Sequence, residues 1–185
     1  ASIMPEPREI GMSDPAVRPD RIAAVVEAGD TDEVNELIDE LESIDLPAQL
    51  DVFDAAYDTL LDCMDHDDGY SRQAVVRIVS ALDPATGRMV AETASDQFES
   101  LPDDDRFAGA IDREADFLVA ALTDDDGRVR RAALRALNSL STGCRLTGDR
   151  ETLDRLATDI RSLSVDETKR EHVEEALNTV RGGVL

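Results

Sequence analysis

The stretch Met64 to Leu82, MDHDDGYSRQAVVRIVSAL, lies without a gap over Leu122 to Leu140, LTDDDGRVRRAALRALNSL. Asp67, Asp68, Gly69, Arg72, Ala74, Arg77 and Leu82 meet Asp125, Asp126, Gly127, Arg130, Ala132, Arg135 and Leu140, seven identities in nineteen positions. A second match, forty residues further on, sets Asp126, Arg130, Ala136, Leu137 and Asn138 over Asp166, Arg170, Ala176, Leu177 and Asn178. A unit that recurs in one chain must pack against copies of itself, and about forty residues is the length of a two-helix unit. The repeat therefore predicts a stack of helix pairs.

The hydrophobic pattern agrees. From Asp20 onward apolar residues fall at three- and four-residue steps, and no stretch alternates with period two for long enough to make a strand. Ile22, Val25 and Val26 mark a first helix that stops at Gly29. Asp30 or Thr31 can cap a second, with Val34, Leu37, Ile38 and Leu41 on its stripe. Pro47 opens a third that carries Phe53, Ala56, Tyr57, Leu60, Leu61 and Met64. Ala74, Val75, Ile78, Val79 and Leu82 line a fourth, and Asp83 with Pro84 starts a fifth with Val90, Ala94 and Phe98. Ile111, Ala115, Leu118 and Leu122 give a sixth. The seventh holds the cleanest stripe, Val129, Ala132, Ala133, Ala136, Leu137 and Leu140, followed by a loop expected between Gly143 and Gly148. Leu153, Leu156, Ile160 and Leu163 make an eighth; Val173, Ala176, Leu177 and Val180 make the last. With no Trp and 3% aromatic residues against 42% hydrophobic ones, the core must come from Ala, Val, Leu and Ile. Pro5, Pro7, Pro15 and Pro19 forbid a continuous helix at the start, so residues 1–19 are expected as a flexible arm and residues 20–185 as a single domain.

In particular, DGRVRRAALRAL resembles the second helix of the HEAT repeat family, in its short HEAT-like variety named after the phycobilisome lyases. The resemblance runs from about Leu46 to Val180. It implies an all-α protein, a right-handed α-α superhelix or HEAT-like solenoid of about nine helices, with the fifth helix inserted off the regular period. It also implies structural ties between repeats, made by a turn aspartate and an arginine early in the second helix. Asp68 with Arg72, Asp126 (or Asp124) with Arg130, and Asp166 with Arg170 fit that role.

Charge is the other strong statement. The chain carries 42 acidic residues, 27 Asp and 15 Glu, against 18 Arg and the single Lys169, for a net charge of -23. The excess is spread along the chain and resembles the surfaces of proteins from salt-in halophiles, where molar salt shortens the Debye length to about 3 Å and removes most self-repulsion. A mimic of DNA phosphates would need ordered charge spacing, which is a property of the folded surface and not of one sequence.

The acid-rich turns are poor calcium loops. Counting back from Gly127 puts Leu122 and Ala133 at the first and twelfth positions of an EF-hand, and around Gly69 these are Met64 and Val75. Cys63, His66, Cys144 and His172 are too scattered for zinc. No phosphate loop, nucleophile elbow or zinc-protease motif occurs. Neither catalytic residues nor a metal or cofactor is expected. Two cysteines, no signal peptide and no long apolar run place the chain in the cytoplasm without a membrane anchor.

The remaining signal is a basic strip. Arg128, Arg131, Arg135 and Asn138 step by three, four and three along the seventh helix, away from its apolar stripe. The repeat register puts Tyr70, Gln73, Arg77 and Ser80 at the same places on the fourth helix, and Glu171 and Glu175 on the ninth. Second helices line the concave face of HEAT-like solenoids, which implies a scaffold or adaptor that docks a protein partner there. Two other functions stay open under the resemblance: nucleic-acid binding of the DNA glycosylase type, disfavoured by one lysine and no Trp, and a lyase-type accessory enzyme. Gly182 to Leu185 is a weakly polar end, which leaves a homodimer through a solenoid end open as well.

Overall fold

The structure is a computed structural model that describes residues 15–94 and 101–182. Among these residues the fold is all-helical: α1 (Pro19–Ala28), α2 (Thr31–Ser43), α3 (Leu46–Cys63), α4 (Gly69–Leu82), α5 (Pro84–Thr93), α6 (Asp104–Ala121), α7 (Gly127–Thr147), α8 (Arg150–Ser162) and α9 (Glu167–Val180). No described helix is long and apolar enough to cross a membrane. The expected contribution of Phe98 to the fifth helix lies outside the described residues.

One residue type starts almost every helix. Asp30, Asp45, Asp68, Asp83, Asp103, Asp126, Asp149 and Asp166 are the N-caps of α2 to α9, each accepting a backbone N–H from the first turn. A capping carboxylate satisfies donors that have no partner inside the helix and faces the positive end of the macrodipole. Part of the acid excess is therefore fixed at helix starts and is not free surface charge. The Asp68 carboxyl is held below its ordinary range chiefly by the Ser71 N–H, and that of Asp166 chiefly by the Thr168 hydroxyl.

Helix α7 sits at the centre and packs on α4, α5, α6, α8 and α9. Its buried positions are mostly small, among them Ala132, Ala133, Ala136, Ser141 and Gly143, so five neighbours can approach its backbone. Gly143 shows the limit: a Cβ there would stand 2.8 Å from the carbonyl carbon of Ala85 on α5. The loop expected between Gly143 and Gly148 is thus corrected. Gly143 is an interior residue of α7 retained for close packing, and only Gly148, at φ 75°, ends the helix.

Residues 15–19 of the expected arm are described, and part of that span packs on the domain. Val17 is 1% exposed and belongs to the core, and Pro19 opens α1, a position where its missing N–H costs nothing. The 58 residues from Asp68 to Asp126, against 40 from Asp126 to Asp166, reflect α5, which packs on α6 and α7.

Candidate functional site

The turn between α6 and α7, Thr123 to Asp126, is where three helices meet. From the α4 side, Arg72 grips Asp124 with two hydrogen bonds, Nε to Oδ2 at 2.8 Å and Nη2 to Oδ1 at 3.0 Å. Both side chains are largely buried, at 16% and 11% exposure. Gly69 lies under Asp126: a Cβ at Gly69 would fall 1.9 Å from the Asp126 carboxylate. Tyr70 stacks on Arg128, whose guanidinium carbon is 3.7 Å from the ring centroid. From the α9 side, Lys169 donates through Nζ to the Thr123 carbonyl at 2.8 Å and to Asp125 at 2.6 Å.

The paired arginines share a second task. Arg72 Nη1 donates to the carbonyls of His66 and Asp67 at 2.7 and 3.0 Å, and Arg130 Nη1 donates to those of Asp124 and Asp125 at 2.6 and 3.0 Å. Each arginine thus closes its own turn at the same two places. They differ outward, because Arg130 meets no carboxylate among the described residues and its Nε donates to His172 Nδ1 at 3.4 Å. Burial and the adjacent Arg130 push the His172 pKa below its ordinary value, which keeps Nδ1 an acceptor.

These contacts revise the expected ties. Asp68 does not pair with Arg72, nor Asp126 with Arg130, since both acids accept from the first-turn N–H groups of their own helices as N-caps and Asp126 also binds the Arg128 guanidinium. Arg170 pairs with Glu167 at the surface, not with Asp166. The tie between successive turns is Arg72 with Asp124, one motif further along than the register implied. Asp124 is left to reach Arg72 because Asp126, not Asp124, caps α7, a distinction that DDDG alone does not make.

The strip residues separate into two kinds. Arg128 is occupied by Asp126 and Tyr70, so it is a structural cation with its charge met. Arg131, Arg135 and Asn138 are exposed. Arg131 and Arg135 form no ion pair among the described residues, whereas most arginines on other helices do. Arg77, which shares the register of Arg135 on the adjacent α4, donates to the neutral amide of Asn35 at 2.7 Å. Three guanidinium charges on one face of α4 and α7 are therefore uncompensated by any carboxylate within ion-pair distance among the described residues. On α9, Glu171 and Glu175 hold the matching register positions and flank His172.

Other clusters carry less chemistry. Glu27, Cys63 and His66 line a hollow between α1 and α3, where burial raises the Cys63 thiol pKa and so works against a thiolate. Among the described residues no group of three or more His, Cys, Asp or Glu is arranged to hold a metal. Glu114 on α6 is fully buried, its carboxylate oxygens lack hydrogen-bond partners among the described residues, and burial with Asp83 nearby raises its pKa well above the usual range. Tyr70 is expected on the strip by register alone, without its stacking on Arg128, and Glu114 is not expected at all. Glu114 lies three residues after Ile111 and four before Leu118, on the apolar stripe itself, so spacing could have exposed it.

No protein-family model matches the chain, and no curated protein does. A solved structure described as an engineered protein, from the Northeast Structural Genomics Consortium, aligns with 88% of this chain and 80% of its own at 14% identity, with a TM-score of 0.29. A likeness that low carries no argument about fold or function.

Proposed function

We propose that the protein is a HEAT-like α-solenoid that works as a non-enzymatic adaptor, docking an acidic segment of a partner protein on the face formed by α4 and α7. The observation that carries this reading is Arg131 with Arg135. Two like charges one turn apart on an exposed helix face repel, at about 0.2–0.5 kcal/mol. Here they persist without a carboxylate partner among the described residues, in a chain whose net charge is -23. A cationic strip framed by acidic surroundings attracts acidic partners and rejects basic ones.

The pairing of α3 with α4, α6 with α7 and α8 with α9 supports the solenoid, as does the Arg72–Asp124 link between successive turns. We also read the acidic surface as that of a protein from a salt-in cell. In molar salt long-range steering vanishes, so recognition must come from direct guanidinium–carboxylate contacts.

Cross-linking in molar KCl, followed by mass spectrometry of the linked peptides, tests the reading. The expected result is a protein cross-linked within α4 and α7, lost in the Arg131→Glu, Arg135→Glu variant with unchanged helicity. Cross-links scattered over all faces, or nucleic acid in the linked fraction, would overturn it.

A further inference from the structure

Beside the strip lies a small pocket between the start of α2 and α4. Gly29, Thr31 and Val34 form one side; Tyr70, Gln73, Ala74 and Arg77, which fall on one face of α4, form the other. Its volume is about 120 Å³. Small-molecule sites run from roughly 300 to 1,000 Å³, so this one is too small for a cofactor or metabolite. A cavity of about 150 Å³ takes a benzene ring, so the present one suits a branched aliphatic side chain. Val34 and Ala74 give it an apolar floor. Its wall is Tyr70, a ring 61% exposed yet held in place by the Arg128 guanidinium, itself bound to Asp126. Exposed aromatic rings on a firm support are typical anchors of interfaces.

The pocket is continuous with the cationic strip. Arg77 lines its rim, Tyr70 joins it to Arg128, and Arg131 follows one turn along α7. We infer that the pocket receives a single Leu, Ile or Val side chain of the docked acidic segment, with the acidic residues of that segment crossing to Arg131 and Arg135. Adjacent packed helices lie about 8–10 Å apart, and an extended strand advances about 3.3 Å per residue. The geometry therefore specifies an aliphatic residue followed, or preceded, by an acid about three positions away. This rests on the adaptor reading and adds the partner's chemistry to it.

The test is selection of displayed random twelve-residue peptides on the intact protein in molar KCl, with binding of the enriched peptides measured by fluorescence anisotropy. The expected motif is one aliphatic residue with acids about three positions from it. Changing that aliphatic residue to Ala should weaken binding at least about tenfold. The same change should cost little further on the Tyr70→Ala protein, because a double-mutant cycle reports that the two groups touch. Thermal melting of Tyr70→Ala checks that its fold survives; Gln73→Leu, which leaves the ring in place, should keep or improve the aliphatic preference. Acidic peptides that need Arg131 and Arg135 but show no aliphatic preference and no coupling to Tyr70 would sink the pocket and leave the adaptor reading standing. Absence of any peptide dependent on Arg131 and Arg135 would sink both.

Discussion

The turn before α4 and the turn before α7 share Asp-Asp-Gly and an arginine three residues later, and the same two carbonyls receive each arginine. Outward they part company: Arg72 meets the carboxylate of Asp124, and Arg130 meets the ring of His172. The glycines differ too, since Gly69 lies under Asp126 while Gly127 has only Arg130 Nη2 near, at 3.4 Å. The motif thus specifies the clamp within a turn. What completes the joint is supplied by a neighbouring helix, so identical residues tie the helices together with unequal strength.

Removing the two arginines should show the inequality most strongly. Arg72→Ala leaves Asp124 largely buried without its cation, and breaking such a pair costs about 3 kcal/mol. Arg130→Ala strands two carbonyls and no carboxylate, a loss of about 1–3 kcal/mol. Urea melts should rank Arg72→Ala as the less stable; equal midpoints would show that the carbonyl clamp alone sets the strength of both joints.

A subtler comparison uses the glycines. Gly69→Ala must displace Asp126, whose own Cβ would stand 3.0 Å away, and overpacking of this kind costs about 1–3 kcal/mol. Gly127→Ala has room and should stabilise by about 0.5 kcal/mol through the unfolded chain. Opposite shifts in melting temperature are expected. Two shifts of the same sign would break the claim that Gly69 serves the neighbouring turn.

Helix content was legible because spacing fixes a stripe whatever packs on it: Val129, Ala132, Ala136 and Leu140 predicted α7, and they are buried. The aspartate caps were half legible, since Asp30 and Asp83 stand before clear stripes, but a glycine misled. Gly143 read as a loop because sequence reports a missing side chain without reporting what fills the space, here the backbone of Ala85. The ties were legible as residue types and illegible as pairs. Which acid Arg72 reaches depends on how far the next turn leans in, a tertiary quantity. The strip divided for the same reason: sequence gives Arg128, Arg131 and Arg135 equal standing, and only the fold shows Arg128 occupied by Asp126 and Tyr70.

The smallest expected effect is a pH dependence on one side of the shared turn. His172 is depressed below its ordinary value in the fold by burial and by Arg130, so its unfolded form binds a proton first. Its contribution is then fully present above about pH 6.5 and lost as the pH falls through the folded value, where protonated Nδ1 can no longer accept from Arg130. Global melts blur this because Glu114 has the opposite sign. Its raised pKa means that burial costs less as the pH falls toward about 4.3, until the capping aspartates, held low, begin to lose their contribution at still lower pH. Hydrogen exchange separates the terms. Between pH 7 and pH 5, after correction for intrinsic rates, amides in the first turns of α9 should lose protection while those of α4 around Arg72 hold theirs. His172→Gln, which cannot titrate, should abolish the difference. Equal behaviour of the two helices in the wild type would mean that Lys169 on Asp125 and Thr123 suffices to hold α9, and that the histidine adds nothing to the joint.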